Sequence, residues 1–309
     1  MTDRIVIGTR GSKLALWQTN WVKSQIERAH QGLTVDLKII STKGDRVQDV
    51  SLPKLGEQGK GLFTKELEEA MLEKEIDLAV HSLKDLPTEL PSGLAIGAIC
   101  EREDVRDALV RRPPDGGFLS LPGSAIIGTS SLRRQAQIRA LRPDLRLEPV
   151  RGNVDTRLRK LDAGEYDALI LASAGLRRLG FGDRITEYLD EELMLPAVGQ
   201  GALAVEIRDG DPVIEKIVRT LDHEATRVCC EAERALLKGL GGGCLVPIAA
   251  LARTEDGRVH LKALVASPDG SQMLRGERSG PASDSESVGR RLAEQLLKDG
   301  ASEILGSGK

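Results

Sequence analysis

The chain reads as an α/β protein: two similar doubly wound lobes around a cleft, then a small α+β C-terminal domain with an antiparallel sheet. Three observations predict this. Short apolar runs alternate with stretches of helical spacing along the first hundred residues. The same order of runs returns after the Pro- and Gly-rich stretch PPDGGFLSLPG at 113–123. From about Asp222 the pattern changes to alternating segments punctuated by Asp-Gly pairs. With 309 residues and roughly 100–200 per domain, we divide the chain into 1–100 with 199–220, 101–198, and 221–309.

In the first lobe RIVIGT (4–9) is a strand, and GSKLALWQTNWVKSQIERAH (11–30) follows with helical spacing through Leu14, Trp17, Trp21 and Ile26. TVDLKIIST (34–42) alternates as a strand. KGLFTKELEEAMLEKEI (60–76) is an amphipathic helix with acids toward its start, as the helix dipole prefers. DLAVHSL (77–83) and GLAIGAIC (93–100) are strands. In the second lobe AIIGTS (125–130) is a strand and SLRRQAQIRALRP (131–143) a helix closed by Pro. LRLEPVRG (145–152) is a strand, NVDTRLRKLDAGE (153–165) a helix with Asn153 as N-cap and Gly164 as stop, and DALILASAGL (167–176) a strand running into a small-residue turn. The last unit has a helix at 224–240, strands across 245–280 turning at Asp256-Gly257 and Asp269-Gly270, and a Ser-capped helix at 283–305.

Aromatic residues make up only 2% of the chain and the net charge is -3. Scarce aromatics argue against stacking on bases, and a near-neutral total removes the bulk attraction to nucleic acid. No apolar run approaches the ~18 residues of a membrane span, and MTDRIVIGTR lacks an apolar signal core. The expectation is a cytoplasmic protein without membrane or nucleic-acid partners. None of the four cysteines forms a CxxC pair and the four histidines lack zinc-ligand spacing, so neither a metal nor a disulfide framework is expected. Cys100, Cys229 and Cys230 read as packing residues.

The near-neutral total hides an asymmetry: 29 Arg against 15 Lys, with twelve Arg and no Lys between Glu101 and Arg159. Arg presents a planar fork matched to carboxylate or phosphate. Five turns carry chemistry. Thr9-Arg10-Gly11-Ser12 joins an Arg and a hydroxyl to helix N-terminal amides. His81-Ser82-Leu83-Lys84-Asp85 sets a cation beside an acid, and if extended the two point to opposite sides, one to grip an anion and one for acid–base work. Thr129-Ser130-Ser131-Leu132-Arg133-Arg134 is the second-lobe counterpart of the first turn. Arg151-Gly152-Asn153 precedes a helix holding Arg157 one turn in. Gly241-Gly242-Gly243-Cys244 leaves a thiol uncrowded, fit for a nucleophile or an attachment point. Four of these turns have a plainer reading: Ser12 as a helix cap, Arg133–Arg134 as a solvated face, Asp85 as a turn cap, the glycines as a linker.

The stretches TRGSKLALWQ, KGLFTKELE, DLAVHSLKDLPTELP, GTSSLRRQAQ, RGNVDTRLRKL, LASAGLRRLG, PAVGQGALAVE and GGGCLVPIAA run in order from residue 9 to 250. Together they resemble the hydroxymethylbilane synthase (porphobilinogen deaminase) family. The resemblance implies head-to-tail condensation of four porphobilinogens with loss of ammonia, giving hydroxymethylbilane for tetrapyrrole synthesis. It implies a dipyrromethane cofactor in thioether linkage to Cys244, a catalytic Asp85, and a monomer. Cofactor-binding residues would be Lys84, Ser12, Thr129, Ser131, Arg133, Arg134, Asn153 and Arg157. Residues facing the substrate and the growing polypyrrole would be Arg10, Gln18, Arg151, Arg157 and Arg178. Each ring added brings an acetate and a propionate, which is a physical reason for many guanidinium forks.

Two other readings fit parts of the pattern. A non-catalytic anion-binding module of the periplasmic-binding-protein type also has two similar α/β lobes; release of ammonia from porphobilinogen separates it from a synthase. A redox or zinc protein built on Cys229, Cys230 and Cys244 is answered by metal analysis, and adjacent cysteines chelate poorly in a tetrahedral site.

Overall fold

The computed structural model describes residues 3–46, 64–112, 116–242 and 246–306. The chain forms two compact units, Met1–Glu103 with Ala202–Arg227, and Asp104–Gly201 with Val228–Lys309. Elements are numbered along the chain.

The first unit holds β1 (Arg4–Thr9), α1 (Lys13–Ala29), β2 (Thr34–Ile39), α2 (Lys43–Arg46), α3 (Lys65–Leu72), β3 (Leu78–Ser82), β4 (Leu94–Ile99), β10 (Leu203–Arg208) and α7 (Pro212–Val218). Its sheet runs β2-β1-β3-β10-β4. β1 is parallel to β2 and β3, and β10 is antiparallel to both its neighbours. Ile5, Ile7, Val22, Ile26, Leu78, Val205 and Ile207 fill the core on one face. Leu67, Met71 and Ile76 of the α3 region fill the other. Burying each such side chain contributes roughly 1.5–3 kcal/mol.

The second unit holds β5 (Asp107–Arg111), β6 (Ile126–Gly128), α4 (Leu132–Leu141), β7 (Arg146–Glu148), α5 (Val154–Asp162), β8 (Ala168–Ala172), α6 (Ser173–Arg178) and β9 (Glu187–Tyr188). The order β7-β6-β8-β5-β9 repeats that of the first lobe, position for position. β6 is parallel to β7 and β8, while β5 enters antiparallel to β8 and β9. The remaining elements are α8 (Glu224–Gly239), β11 (Ile248–Glu255), β12 (Arg258–Ala266), β13 (Met273–Pro281), α9 (Ser285–Leu296) and α10 (Ser302–Gly306). β11, β12 and β13 make an antiparallel three-stranded sheet. Its one face meets α8 and α9 through Leu236, Leu261, Val265 and Leu292. The fold is therefore the expected pair of α/β lobes with an α+β unit. No helix among the described residues is long and apolar enough to cross a membrane.

Several elements differ from the sequence expectation. β5, β9 and β10 are not among the strands expected from the sequence, and β5 and β10 each take the fourth position of their lobe's sheet. The stretch after β8 is a helix: the Ser173 hydroxyl is used on the carbonyls of Asp104 and Arg106, and the backbone from Ser173 winds on as α6. β7 is three residues long. Asp284, not a serine, stands at the N-cap of α9, without a side-chain cap bond, and the Ser285 hydroxyl donates to Glu231. The Asp256-Gly257 turn forms as expected, both residues at positive φ (47° and 72°).

Candidate functional site

In the first unit the turns after β1 and β3 lie side by side. Ser12 caps α1, its hydroxyl accepting from the Ala15 amide at 3.3 Å, so its plain reading as a cap holds and its amide-rich surroundings remain. Thr19 donates to the buried Thr9 hydroxyl at 2.8 Å, and the buried Gln18 amide donates to Ser82 Oγ at 2.9 Å. That last bond ties α1 to the end of β3. Beyond Ser82 the chain is not extended: Leu83–Asp85 form a 3-10 turn closed by Leu86 N onto Leu83 O. Leu83 is buried as the anchor, Lys84 is half-buried and Asp85 is exposed at the turn. One strand earlier, His81 pairs with Glu206 of β10 at 2.9 Å, both buried. Arg10 is half-buried on the turn after β1.

In the second unit the turns after β6 and β7 are joined in the same way. Ser130 Oγ donates to Val150 O at 2.8 Å and accepts from Val150 N at 3.1 Å. Thr129 is buried and accepts from the Ser131 amide. Gly152 takes φ 101°, and a Cβ there would strike Thr156. Arg157 Nε reaches back to Gly152 O at 2.8 Å, which folds its guanidinium toward the turn that carries Arg151. Asn153 occupies the N-cap of α5 without a side-chain cap bond and is exposed. Arg178, at the end of α6, is buried and donates to Gly201 O at 2.6 Å.

Arg133 and Arg134 are not a solvated face: they are only 5% and 7% exposed. Both converge on Asp107, the first residue of β5. Arg134 Nη2 donates to Asp107 Oδ1 at 2.8 Å, and Arg133 Nη1 lies 2.8 Å from Oδ2. Arg133 also donates to Leu195 O, and Arg134 to Ile170 O, each at 2.7 Å. Gln200 Nε2 closes the group, donating to Asp107 Oδ1 at 2.8 Å and Val105 O at 2.7 Å. Burial pushes the Asp107 carboxyl up, but the two guanidinium charges outweigh it and hold it well below the usual carboxylate range. Burial likewise lowers Arg133, against the pull of Asp107. Two cations and one anion leave a surplus positive charge here. The Nε of each arginine is buried with no hydrogen-bond partner among the described residues. Both arginines stand in the first turn of α4, which holds no acid and where cations are disfavoured by the helix dipole. Such a cluster has positive charge to offer an anion.

Asp107, Gln200 and Glu233 were not singled out from the sequence. Glu233 is fully buried in α8 and accepts from Gly199 N at 2.7 Å and Ala252 N at 2.9 Å. Other arginines of the Arg-rich stretch are structural. Arg142 grips Asp144 and the carbonyls of Phe118, Leu119 and Leu121, Arg139 holds Pro268 O, and Arg106 stacks 4.4 Å over Tyr188. Cys244 lies outside the described residues.

The fold and site define an α/β protein whose lobes end their strands in hydroxyls and guanidiniums, with surplus buried positive charge in the second unit. Residues 5–216 match the family model “Porphobilinogen deaminase, dipyromethane cofactor binding domain”, and residues 227–298 match “Porphobilinogen deaminase, C-terminal domain”. The chain belongs to the porphobilinogen deaminase family. It is 52% identical over 305 residues to a porphobilinogen deaminase of Carboxydothermus hydrogenoformans, covering 99% of this chain and 97% of that one. The porphobilinogen deaminase of Desulforudis audaxviator is 53% identical over 307 residues, covering 99% and 98%. That of Geotalea uraniireducens is 52% identical over 299 residues, covering 97% and 93%.

Proposed function

We propose that this chain is a hydroxymethylbilane synthase, a transferase that joins four porphobilinogens head to tail with loss of ammonia. Its product enters tetrapyrrole synthesis. The observation that carries the reading is the surplus positive charge of Arg133 and Arg134 beside the hydroxyl-bearing turn at the end of β6. The resident dipyrromethane supplies the fixed end onto which the chain of pyrroles is built. Cys244 holds it by a thioether, which resists hydrolysis. Lys84, Ser12, Thr129, Ser131, Arg133, Arg134, Asn153 and Arg157 hold its carboxylates, and Arg10, Gln18, Arg151, Arg157 and Arg178 hold those of the incoming and added rings. Asp85 has the work of charge. As ammonia leaves porphobilinogen, positive charge develops on the pyrrole, and a carboxylate beside the ring nitrogen stabilises it and moves protons there. The exposed position of Asp85 on a short turn pinned by the buried Leu83 suits that task. The enzyme works as a cytoplasmic monomer, with the domain division 1–100 plus 199–220, 101–198 and 221–309.

Asp85→Ala is expected to lose most of kcat, and Asp85→Glu to lose about 10²-fold, the cost of a misplaced group. Near-wild-type release of ammonia from porphobilinogen by either variant would reject the assignment. Intact mass tests the thioether. The wild-type protein should exceed its sequence mass by that of a dipyrromethane, and Cys244→Ser should not; equal masses for the two rule the linkage out.

A further inference from the structure

Asp107 lies at the start of β5, 26 and 27 residues before the two arginines it meets, and it is fully buried. Among the described residues it is the one carboxylate acting on Arg133. Its two oxygens face separate guanidiniums, and Gln200 donates to the same Oδ1 that takes Arg134. Each arginine also donates to a backbone carbonyl: Arg134 to Ile170 O through Nη1, leaving Nη2 for Asp107, and Arg133 to Leu195 O through the same Nη1 that meets Asp107. Leu195 is itself pinned, its amide donating to Gln137 Oε1 at 2.8 Å and its carbonyl accepting from Gln137 Nε2 at 3.1 Å. A buried guanidinium held between a carboxylate and a backbone carbonyl has little freedom left, whereas an arginine on a solvated helix face has its rotamer entropy still to lose on binding. Gln200 extends the hold further. Its neighbour Gly199 donates to Glu233, whose other oxygen accepts from Ala252 of β11. One buried chain of polar contacts thus runs from the three-stranded sheet, through α8 and the 199–200 loop, to the arginine pair.

We propose that Asp107 is a positioning residue for the synthase reaction: it holds Arg133 and Arg134 as a rigid pair with one charge unspent at the N-terminus of α4, ready for the carboxylates of the covalent pyrrole chain. Gln200 is the neutral strut that keeps Asp107 in register. The inference rests on the reading that these two arginines hold pyrrole carboxylates. It adds a residue that touches neither substrate nor cofactor. Pre-ordering of this kind is what makes binding groups effective when the ligand arrives.

The test uses the full-length enzyme as purified and two measurements: the fraction of molecules carrying dipyrromethane, from intact mass, and the split of KM against kcat for porphobilinogen. Asp107→Asn keeps the shape and removes the charge. Losing a charged hydrogen-bond partner should lower occupancy about tenfold in protein that is still folded by circular dichroism. Folded Asp107→Asn with wild-type occupancy overturns the proposal, as does a KM that is unchanged or lower. Where Asp107→Asn does not fold, Gln200→Leu decides, because it retains all three charges. The expectation is a KM raised about threefold with kcat within about twofold, the mark of weaker holding at unchanged chemistry. Wild-type occupancy and KM in Gln200→Leu overturn the proposal too. A simple packing role would lower the melting temperature and move neither measurement. The double variant Arg133→Gln/Arg134→Gln separates the two layers. Full occupancy there removes the reading that the arginines hold pyrrole carboxylates. Lost occupancy there, with none lost in folded Asp107→Asn, removes the positioning role alone.

Discussion

Asp107 and Glu68 are both carboxylates taken out of water, and their surroundings push them in opposite directions. Arg133 and Arg134 hold Asp107 below its ordinary value of 3.8 against the effect of burial. A carboxyl depressed on folding stabilises the fold above its unfolded pKa, and that contribution drains away as pH falls through the folded value. The wild-type protein should therefore lose stability steeply below about pH 4. Asp107→Asn, weaker at pH 7, should show a flatter acid limb in denaturant melts, and parallel limbs would refute this. Glu68 of α3 is buried, and burial, with the Glu206 charge added, raises it above 4.5. Here the sign reverses. The folded state prefers the proton, so the penalty sets in as pH rises above the unfolded value. Glu68→Gln should raise the melting temperature at pH 7 to 8 and give no gain at pH 4. A gain of equal size at both would show that charge is not the cause.

Elements whose partners lie close in sequence were legible, and those with distant partners were not. β1, α1, β2 and β3 follow one another and carry their own periodicity, so apolar spacing was enough. β5 and β10 are short apolar runs whose partners sit far away: Asp107 pairs with Ala172, and Leu203 with Ser82. Neither residue spacing nor local propensity marks where such a strand inserts. The site divided on the same line. Ser12, Arg10, Thr129 and Asp85 stand on turns with visible chemistry, whereas Asp107 lies in an acid-rich stretch and shows its meaning only beside two arginines brought to it by the sheet. At this scale the α8–α9 contact makes a clear test. A Cβ on Gly289 of α9 would press on Ala232 O and come within 2.9 Å of both Ala235 Cβ and Leu236 N of α8. Gly289→Ala should cost about 1–3 kcal/mol as overpacking, read from urea denaturation. An unchanged midpoint would mean that the helices slide apart freely.

Across the whole molecule, the two lobes share one strand order, and in each the fourth position is an antiparallel strand delivered after a crossing of the chain. β4 leaves the first lobe before β5 enters the second, and β10 returns to the first once β9 is complete. Among the described residues of the first lobe, β10 is the one strand hydrogen-bonded to β4. A chain ending at Gly201 should therefore exchange the amide hydrogens of Leu94–Ile99 rapidly, and adding a peptide of 202–227 should slow them. Slow exchange without the peptide would show that β4 is held by packing alone. The same connectivity sets a timetable for synthesis. About a hundred residues must leave the ribosome between β4 and its partner, which takes ~5–20 s at ordinary elongation rates. Through that interval the first lobe to be made waits unfinished, with an open sheet edge for chaperones to guard, and the order of birth is not the order of completion.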